Sequence, residues 1–430
     1  MKLSIDYETR SEDDLTQNGL YHYANHPSTK VYMMAYQFDE EPIQIWVNDG
    51  TKFPQEVLEH FKANKPVWAF NVAFERLITN KVLGIPLSIE QCFCTAAMGR
   101  VNGLPNSLAK QALALGSNIS KGIEGKSLIQ KYSVTNTPWE DIPKDDQDKF
   151  KNYCIDDVKV ERVVALCCQD LSPAEWEDFH NVERMNDRGI KVDIEFAQAA
   201  IKLASSVRKD VKIKLTALTG GKVKSITERK QRDLWLLPRL TEEQLAVITP
   251  KGNLSFDKTR RGLLSTFPDL DDKVRRYLEL SEEAGGSTLS KYDAMIRSNI
   301  DGRIYGAFMF NAATTGRASS KLVQLQNLKR PIFDDEEAER LIEDVINGVD
   351  IEEPASTLAY LVRPTIFLEE GMTTYDYSSV EYIVLSYLAN NKKAMTDYKN
   401  DVDAYKVLGS EIFNCPIDKV TKDQRQASKI

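Results

Sequence analysis

Several acidic residues in this 430-residue chain have the type and spacing to hold a divalent cation. Asp6 and Glu8 are two apart in an alternating stretch, so a strand there puts both carboxylates on one face. Adjacent carboxylates repel and are costly without a cation. Tyr153 and Asp157 are four apart in a helical stretch and share a face, whereas Asp156 points elsewhere. Asp376 lies where the β-prone Thr374-Tyr375 gives way to the helical spacing of Val380, Ile383, Val384 and Tyr387. A strand end entering a helix can offer a hard ion one carboxylate and the next backbone carbonyl, here that of Tyr377. Taken alone, that stretch equally fits a solvated aspartate capping a helix.

The elements that must position these residues follow from periodicity and punctuation. Leu3 and Ile5 alternate with Lys2, Ser4 and Asp6, which predicts a half-buried strand. Residues 31–38 and 43–47 read as further strands, and 54–62 as a helix with Pro54 at a tolerated first-turn position. A short strand at 66–70 runs into a helix with Asn71 as the expected N-cap and Glu75 in the first turn. Tyr153 and Asp157 sit on a predicted helix over about 145–171. An amphipathic helix over 174–188 stops at Gly189, and a long helix over 195–218 stops at Gly220-Gly221. Asp301-Gly302 marks a tight turn between strand-like flanks. Thr421 and Gln424 form a capping box that opens a helix bearing Arg425 and Lys429 on one face. The run Asp334-Asp335-Glu336-Glu337 reads as a solvated surface.

The chain is long enough for two or three domains with sizeable cores, and its 42% hydrophobic content is that of a globular protein. No apolar run approaches a membrane span, and the N-terminus enters a strand without a secretory apolar region, so the expected location is the cytoplasm. The spacing of Cys92, Cys94, Cys154, Cys167, Cys168 and Cys415 fits no zinc site, and four scattered histidines argue against a histidine-based one. A net charge of −8 argues against indiscriminate coating of nucleic acid but allows an enzyme with one basic groove. Basic clusters at 222–230 and at Arg275-Arg276 are each compatible with a solvated helix face.

The stretch from Thr374 to Glu381 resembles motif A of family A DNA polymerases, particularly the phage branch. That resemblance implies that Asp376 binds both catalytic metals, with the Tyr377 carbonyl beside it, and that Glu381 excludes a ribose 2′-hydroxyl. Ser379 and Ile383 depart from the family's usual glutamine and arginine. Further matches lie upstream. Asp6-x-Glu8, then Asn71-x-x-Phe74-Glu75, then Tyr153-x-x-x-Asp157 resemble the three motifs of DEDD-type 3′–5′ exonucleases with the motif-III tyrosine. The resemblance implies Asp6, Glu8, Glu75 and Asp157 as metal ligands and Tyr153 as the residue positioning the attacking water. Glu75 stands where that family usually has aspartate, one methylene shorter. Two Mg²⁺ or Mn²⁺ ions, roughly 4 Å apart, would then activate a water and stabilise the leaving 3′-oxygen. The substrate implied is a single-stranded 3′ end of DNA. Residues 104–108 and 125–129 resemble stretches typical of the phage branch and carry no assigned chemistry.

Thr314-Thr315-Gly316-Arg317-Ala318-Ser319-Ser320 and Leu325-Gln326-Asn327 resemble the family's block that contacts the minor groove and primer strand. Arg317, Gln326 and Asn327 inherit that DNA-binding role; minor-groove acceptors are similar for every pair, so such contacts check geometry without reading sequence. Residues 420–430 resemble the opening of motif B, where Arg425 and Lys429 would hold the incoming triphosphate. Tyr377 and Glu381 complete the implied nucleotide-binding set. The fold implied is α/β. A ribonuclease H-like exonuclease domain occupies 1–171, a helical connector and thumb 172–300, and a partial palm with the start of the fingers 301–430.

The rest of motif B and motif C, which supplies the second palm aspartate, do not occur in these 430 residues. With Asp376 alone a two-metal transfer site is incomplete. Three alternatives follow. The first is the N-terminal part of a split or interrupted polymerase, acting on primer–template and, once completed by a C-terminal fragment, on dNTPs. The second is a stand-alone 3′–5′ exonuclease, and the third a non-catalytic DNA-binding subunit. The phage resemblance implies an infected bacterial cytoplasm.

Overall fold

Five strands, β1 (Leu3–Arg10), β2 (Lys30–Phe38), β3 (Gln44–Val47), β4 (Val67–Ala69) and β5 (Cys92–Cys94), form one sheet in the order β3-β2-β1-β4-β5. The computed structural model describes residues 2–116, 123–284, 289–367, 375, 377 and 379–429. In it β1 is central: β2 pairs with it antiparallel, with Asp6 opposite Ala35 and Glu8 opposite Met33, while β4 pairs with it in parallel. The register shifts between Glu8 and Thr9, an irregularity immediately after the second carboxylate.

The predicted half-buried strand is covered on both faces. Leu3, Ile5 and Tyr7 enter the main core, and on the other face Ser4 and Glu8 are buried too. The cover is a 24-residue helix. With α1 at Gln55–Lys62 and α2 at Ala73–Leu77, this third helix, α3, spans Lys144–Cys167. Phe150, Cys154, Asp157, Val158 and Glu161 of α3 are all buried, a helical stripe laid on β1 and β2 with Tyr32, Met33 and Ala35. Alternation in β1 therefore separates an apolar face from a chemical face, not from a solvent face.

Asn71 does not cap α2. Val72 occupies the N-cap position without a side-chain bond, and Asn71 adopts a left-handed φ of 65°. Asparagine tolerates that conformation, and it makes the sharp corner from β4 into the helix.

The helix α4 (Pro173–Arg188) opens on a capping box from Ser172 and Glu175 and stops at Gly189, whose φ is 66°. The helix α5 (Ile194–Thr219) is 26 residues, about 39 Å long at the helical rise. Its first half, with Phe196, Ala197, Ala200 and Ala204, packs in one core; Val211 and Leu215 pack in another with Trp235, Leu264 and Tyr277. Between α4 and α5 lies β6 (Ile190–Lys191), which pairs with the hairpin of β7 (Asn299–Ile300) and β8 (Arg303–Ile304). Asp301 and Gly302 take φ of 51° and 80°, the pair of positive values a two-residue primed turn requires. A second hairpin joins β9 (Phe308–Met309) to β10 (Ser319–Ser320).

The chain divides into two compact units, Met1–Leu368 and Glu369–Ile430. In the second, α6 (Val380–Leu388), α7 (Lys392–Lys399), α8 (Ala404–Phe413) and α9 (Lys422–Ala427) follow one another. The predicted apolar stripe of α6 is present on the helix, yet Val380, Val384 and Tyr387 are exposed, as are Leu385 and Leu388. Among the described residues no helix is long and apolar enough to cross a membrane.

Candidate metal centre and nucleic-acid contacts

One oxygen from each of Asp6, Glu8 and Asp157 lies within 4.8 Å of the other two. β1 supplies the first two on its chemical face, and α3 brings the third down onto that face. Glu8 and Asp157 are buried and Asp6 half-buried, so three like charges share a place poor in water. That donor set is all oxygen, and it suits a hard divalent cation such as Mg²⁺ or Mn²⁺. Asp156 instead pairs with Lys159 at 2.8 Å on the exposed side of α3.

Glu75 comes from α2 and is 97% buried, with its Oε2 lacking any hydrogen-bond partner. Burial, and then the Asp6 charge, raise its carboxyl well above the usual range. Glu75 thus stands beside Asp6 but outside the trio whose donor atoms meet within 4.8 Å. A buried carboxyl oxygen with nothing to accept from is costly, and a cation beside Asp6 would relieve it.

Tyr153 lies one turn before Asp157 on α3 and hydrogen-bonds to it; burial first, then the charges of Asp157, Glu8 and Asp6, raise its phenol. The hydroxyl therefore keeps its proton at neutral pH and can orient a water or a phosphate oxygen.

Sequence reasoning passed over three neighbours. The Cys154 thiol donates to Asp6 at the carbonyl (3.5 Å) and at Oδ2 (3.6 Å); burial, then the Asp6 charge, hold it protonated. Glu161, one turn beyond Asp157, accepts a hydrogen bond from the Thr95 hydroxyl, and burial raises its carboxyl. The i, i+4 spacing of Asp157 and Glu161 was the available signal. Gly125, in the stretch to which no chemistry had been assigned, lies against the Tyr153 ring: a Cβ there would sit 2.1 Å from Cδ2 and Cε2.

Arg317, Gln326 and Asn327 are surface residues. Arg317 is exposed in the loop between β9 and β10, and Gln326 and Asn327 are exposed on a single 3₁₀ turn (Leu325–Asn327). Just before them Leu322 and Gln324 take positive φ, 56° and 54°, and Lys291 Nζ donates to the carbonyls of Val323 (2.6 Å) and Gln324 (3.3 Å). Non-glycine residues held there cost conformational energy that the surrounding contacts must supply.

In the second unit Tyr377 is exposed, Glu381 lies exposed in the first turn of α6, and Asp376 lies outside the described residues. Thr421 and Gln424 make the expected capping box, but α9 is only six residues, and Lys429 lies beyond its C-cap, Ser428. Arg425 and Lys429 still meet over one ring, 5.4 and 5.5 Å from the Tyr405 centroid. Arg425 Nε also pairs with Asp403 Oδ2 at 2.5 Å.

Residues 198–430 match DNA polymerase family A, more than half of the chain. The chain is also 30% identical to the DNA polymerase of Bacillus phage SP02, over all of its own length and 68% of that protein. It belongs to DNA polymerase family A. This polymerase chain is further similar to the thermostable DNA polymerase I of Thermus caldophilus, 22% identical over 58% of this chain and 28% of that protein. Its fold is like that of the POL domain of Pol1 from M. smegmatis, solved in complex with DNA primer-template and dNTP. The TM-score is 0.57 at 16% identity, covering 99% of this chain and 66% of that one. The polymerase thus spans about two thirds of the length of both the phage relative and the solved chain.

Proposed function

We propose that this polymerase chain is the N-terminal portion of a DNA-directed DNA polymerase of replication that also carries a metal-dependent 3′–5′ proofreading exonuclease. The observation that carries the nuclease half is the meeting of Asp6, Glu8 and Asp157 within 4.8 Å. A sheet in the order 3-2-1-4-5, with β4 and β5 parallel to β1, supports a ribonuclease H-like exonuclease domain over residues 1–171. Residues 172–300 then serve as connector and thumb and 301–430 as partial palm and start of the fingers.

Asp6, Glu8 and Asp157 would hold the cations, with Glu75 completing the set. Bound Mg²⁺ or Mn²⁺ supplies Lewis-acid polarisation of the phosphate and a water of lowered pKa. Tyr153, anchored to Asp157, would orient the attacking water toward the terminal phosphodiester. The 3′-oxygen of the preceding nucleotide leaves, and a nucleoside 5′-monophosphate is released. Arg317, Gln326 and Asn327 line the primer–template as a sequence-neutral grip. Asp376 and the Tyr377 carbonyl would hold the polymerase metals, Glu381 would screen the sugar, and Arg425 and Lys429 would take the dNTP phosphates.

Polymerisation further needs a complementing C-terminal segment with the remaining fingers and palm. The exposed Val384, Leu385, Tyr387 and Leu388 of α6 support this, because such side chains are ordinarily covered. The family match over 198–430 favours this reading over a stand-alone exonuclease. The phage relative favours action in the cytoplasm of an infected bacterium.

The test is degradation of a 3′-labelled single strand by the pure chain with Mg²⁺. Loss of degradation in Asp6→Ala supports the assignment, and unchanged degradation refutes it. Primer extension by the chain alone that disappears in Asp376→Ala would refute the need for a complementing segment.

A further inference from the structure

Two adjacent residues of α4 face opposite partners. Asn186 Nδ2 donates to the Phe308 carbonyl (3.1 Å), and its Oδ1 accepts from the Phe308 N–H (2.9 Å). The Asn186 carbonyl also accepts from the Gly306 N–H at 3.2 Å. One side chain thus pairs with β9 as a neighbouring strand would. Asp187 faces the other way. It takes both arms of the Arg76 guanidinium, at 2.9 and 2.7 Å, and accepts from the Tyr21 hydroxyl. Arg76 is buried and is the residue after Glu75 on α2.

The seam between these groups is not filled by packing. A cavity of about 440 Å³ lies there, lined in part by Asn71, Phe74, Glu183, Asn186, Phe308 and Phe310. With open space beside it, β9 is seated by directional bonds, the Asn186 pair and Arg100 Nε to the Phe310 carbonyl at 2.9 Å, together with Phe310 edge-on to Phe179 at 6.0 Å. Tyr21 closes the circuit by stacking on Tyr305 at 5.5 Å and 22°. Gly306, at φ 66°, has no room for a Cβ, which would lie 2.8 Å from the Tyr21 ring.

We infer that Asn186 and Asp187 are positioning residues that tie the seating of the β9–β10 hairpin, and hence of Arg317, to the placement of Glu75. Duplex engaged at the hairpin then alters the rate of 3′ excision through one turn of α4. The inference rests on the nuclease reading above. It adds a physical link between the two sites, carried by a bidentate ion pair on one side and a bidentate amide on the other.

The experiment measures removal of the 3′ nucleotide by the full chain from three DNAs: a single strand, a paired primer–template, and one with a mispaired terminus. Asn186→Ala is expected to leave the single-strand rate within about twofold and to lower the mispaired-to-paired ratio about fivefold or more, an ordinary coupling. Asn186→Asp loses the donor and sets a carboxylate beside the Phe308 carbonyl and beside Glu183, whose Oε1 the Asn186 amide also reaches at 3.3 Å, so its ratio should fall at least as far as in Asn186→Ala. Arg76→Lys, a point charge without the fork, should lower kcat on all three DNAs with KM unchanged. A folded Asn186→Ala or Asn186→Asp protein with the wild-type ratio, or equal losses on all three DNAs, overturns the link while leaving the nuclease reading in place. No single-strand degradation by wild type overturns both.

Discussion

Gly125 lies flat against the ring of Tyr153, so close that a Cβ would come within 2.1 Å of two ring carbons. The contact sets where the phenol can stand, and the phenol stands beside Asp157. Gly125→Ala must therefore push Tyr153 or its own helix aside. The expected result is a loss of nuclease kcat of about a hundredfold, the cost of misplacing a catalytic group by an ångström. The overpacking should also cost about 1–3 kcal/mol of stability. Single-turnover rates and thermal melts check both. An alanine variant of full activity would show that the Tyr153 position does not matter to the reaction.

Asp157→Asn should have effects of opposite sign with and without cation. Without it, removing one of three crowded carboxylates relieves repulsion, and Tm should rise. With Mn²⁺ in excess, wild type gains stability by mass action, about 2.7 kcal/mol at a hundredfold over Kd, and the variant should not. Melts with and without Mn²⁺ decide; equal gains in both proteins would remove Asp157 from the cation site.

Glu183 predicts a pH dependence. Burial raises its carboxyl above the usual value of 4.5, and Arg76 only partly offsets that. The folded chain therefore keeps this proton to higher pH than the unfolded chain. As pH rises from about 4.5 the unfolded chain ionises first, so this group's contribution to stability is lost through that window up to the folded pKa. Glu183→Gln should shrink the fall in Tm as the pH rises above about 4.5. A variant that tracks wild type across that range would show that Glu183 titrates normally.

Leu388 is 74% exposed on α6. Leu388→Lys should leave the melting of this chain within about 0.5 kcal/mol, as surface changes do. If a C-terminal polymerase segment covers α6, the same change should weaken reconstitution of primer extension on mixing the two pieces by about tenfold or more, the scale of a charge forced into an apolar interface. Undiminished reconstitution would place the covering segment elsewhere.

The local elements, and which acidic side chains share a face, are legible in the residues alone. Side-chain type and spacing are local properties: the two-residue period put Asp6 and Glu8 on one face, the four-residue step put Tyr153 with Asp157, and Asp301-Gly302 specified its turn. What covers each face is settled by packing. A period of two cannot say whether the second face of β1 meets water or α3: alternation predicts a half-buried strand, yet Glu8 is buried. Helical periodicity gave α6 an apolar stripe, but whether a stripe is covered depends on a surface elsewhere, and here it is exposed. The partners of Gly125, Asn186 and Asp187 lie 28, 122 and 111 residues away in sequence, at Tyr153, Phe308 and Arg76. No local rule reaches so far; those contacts exist because the sheet, α3 and α4 close on one another.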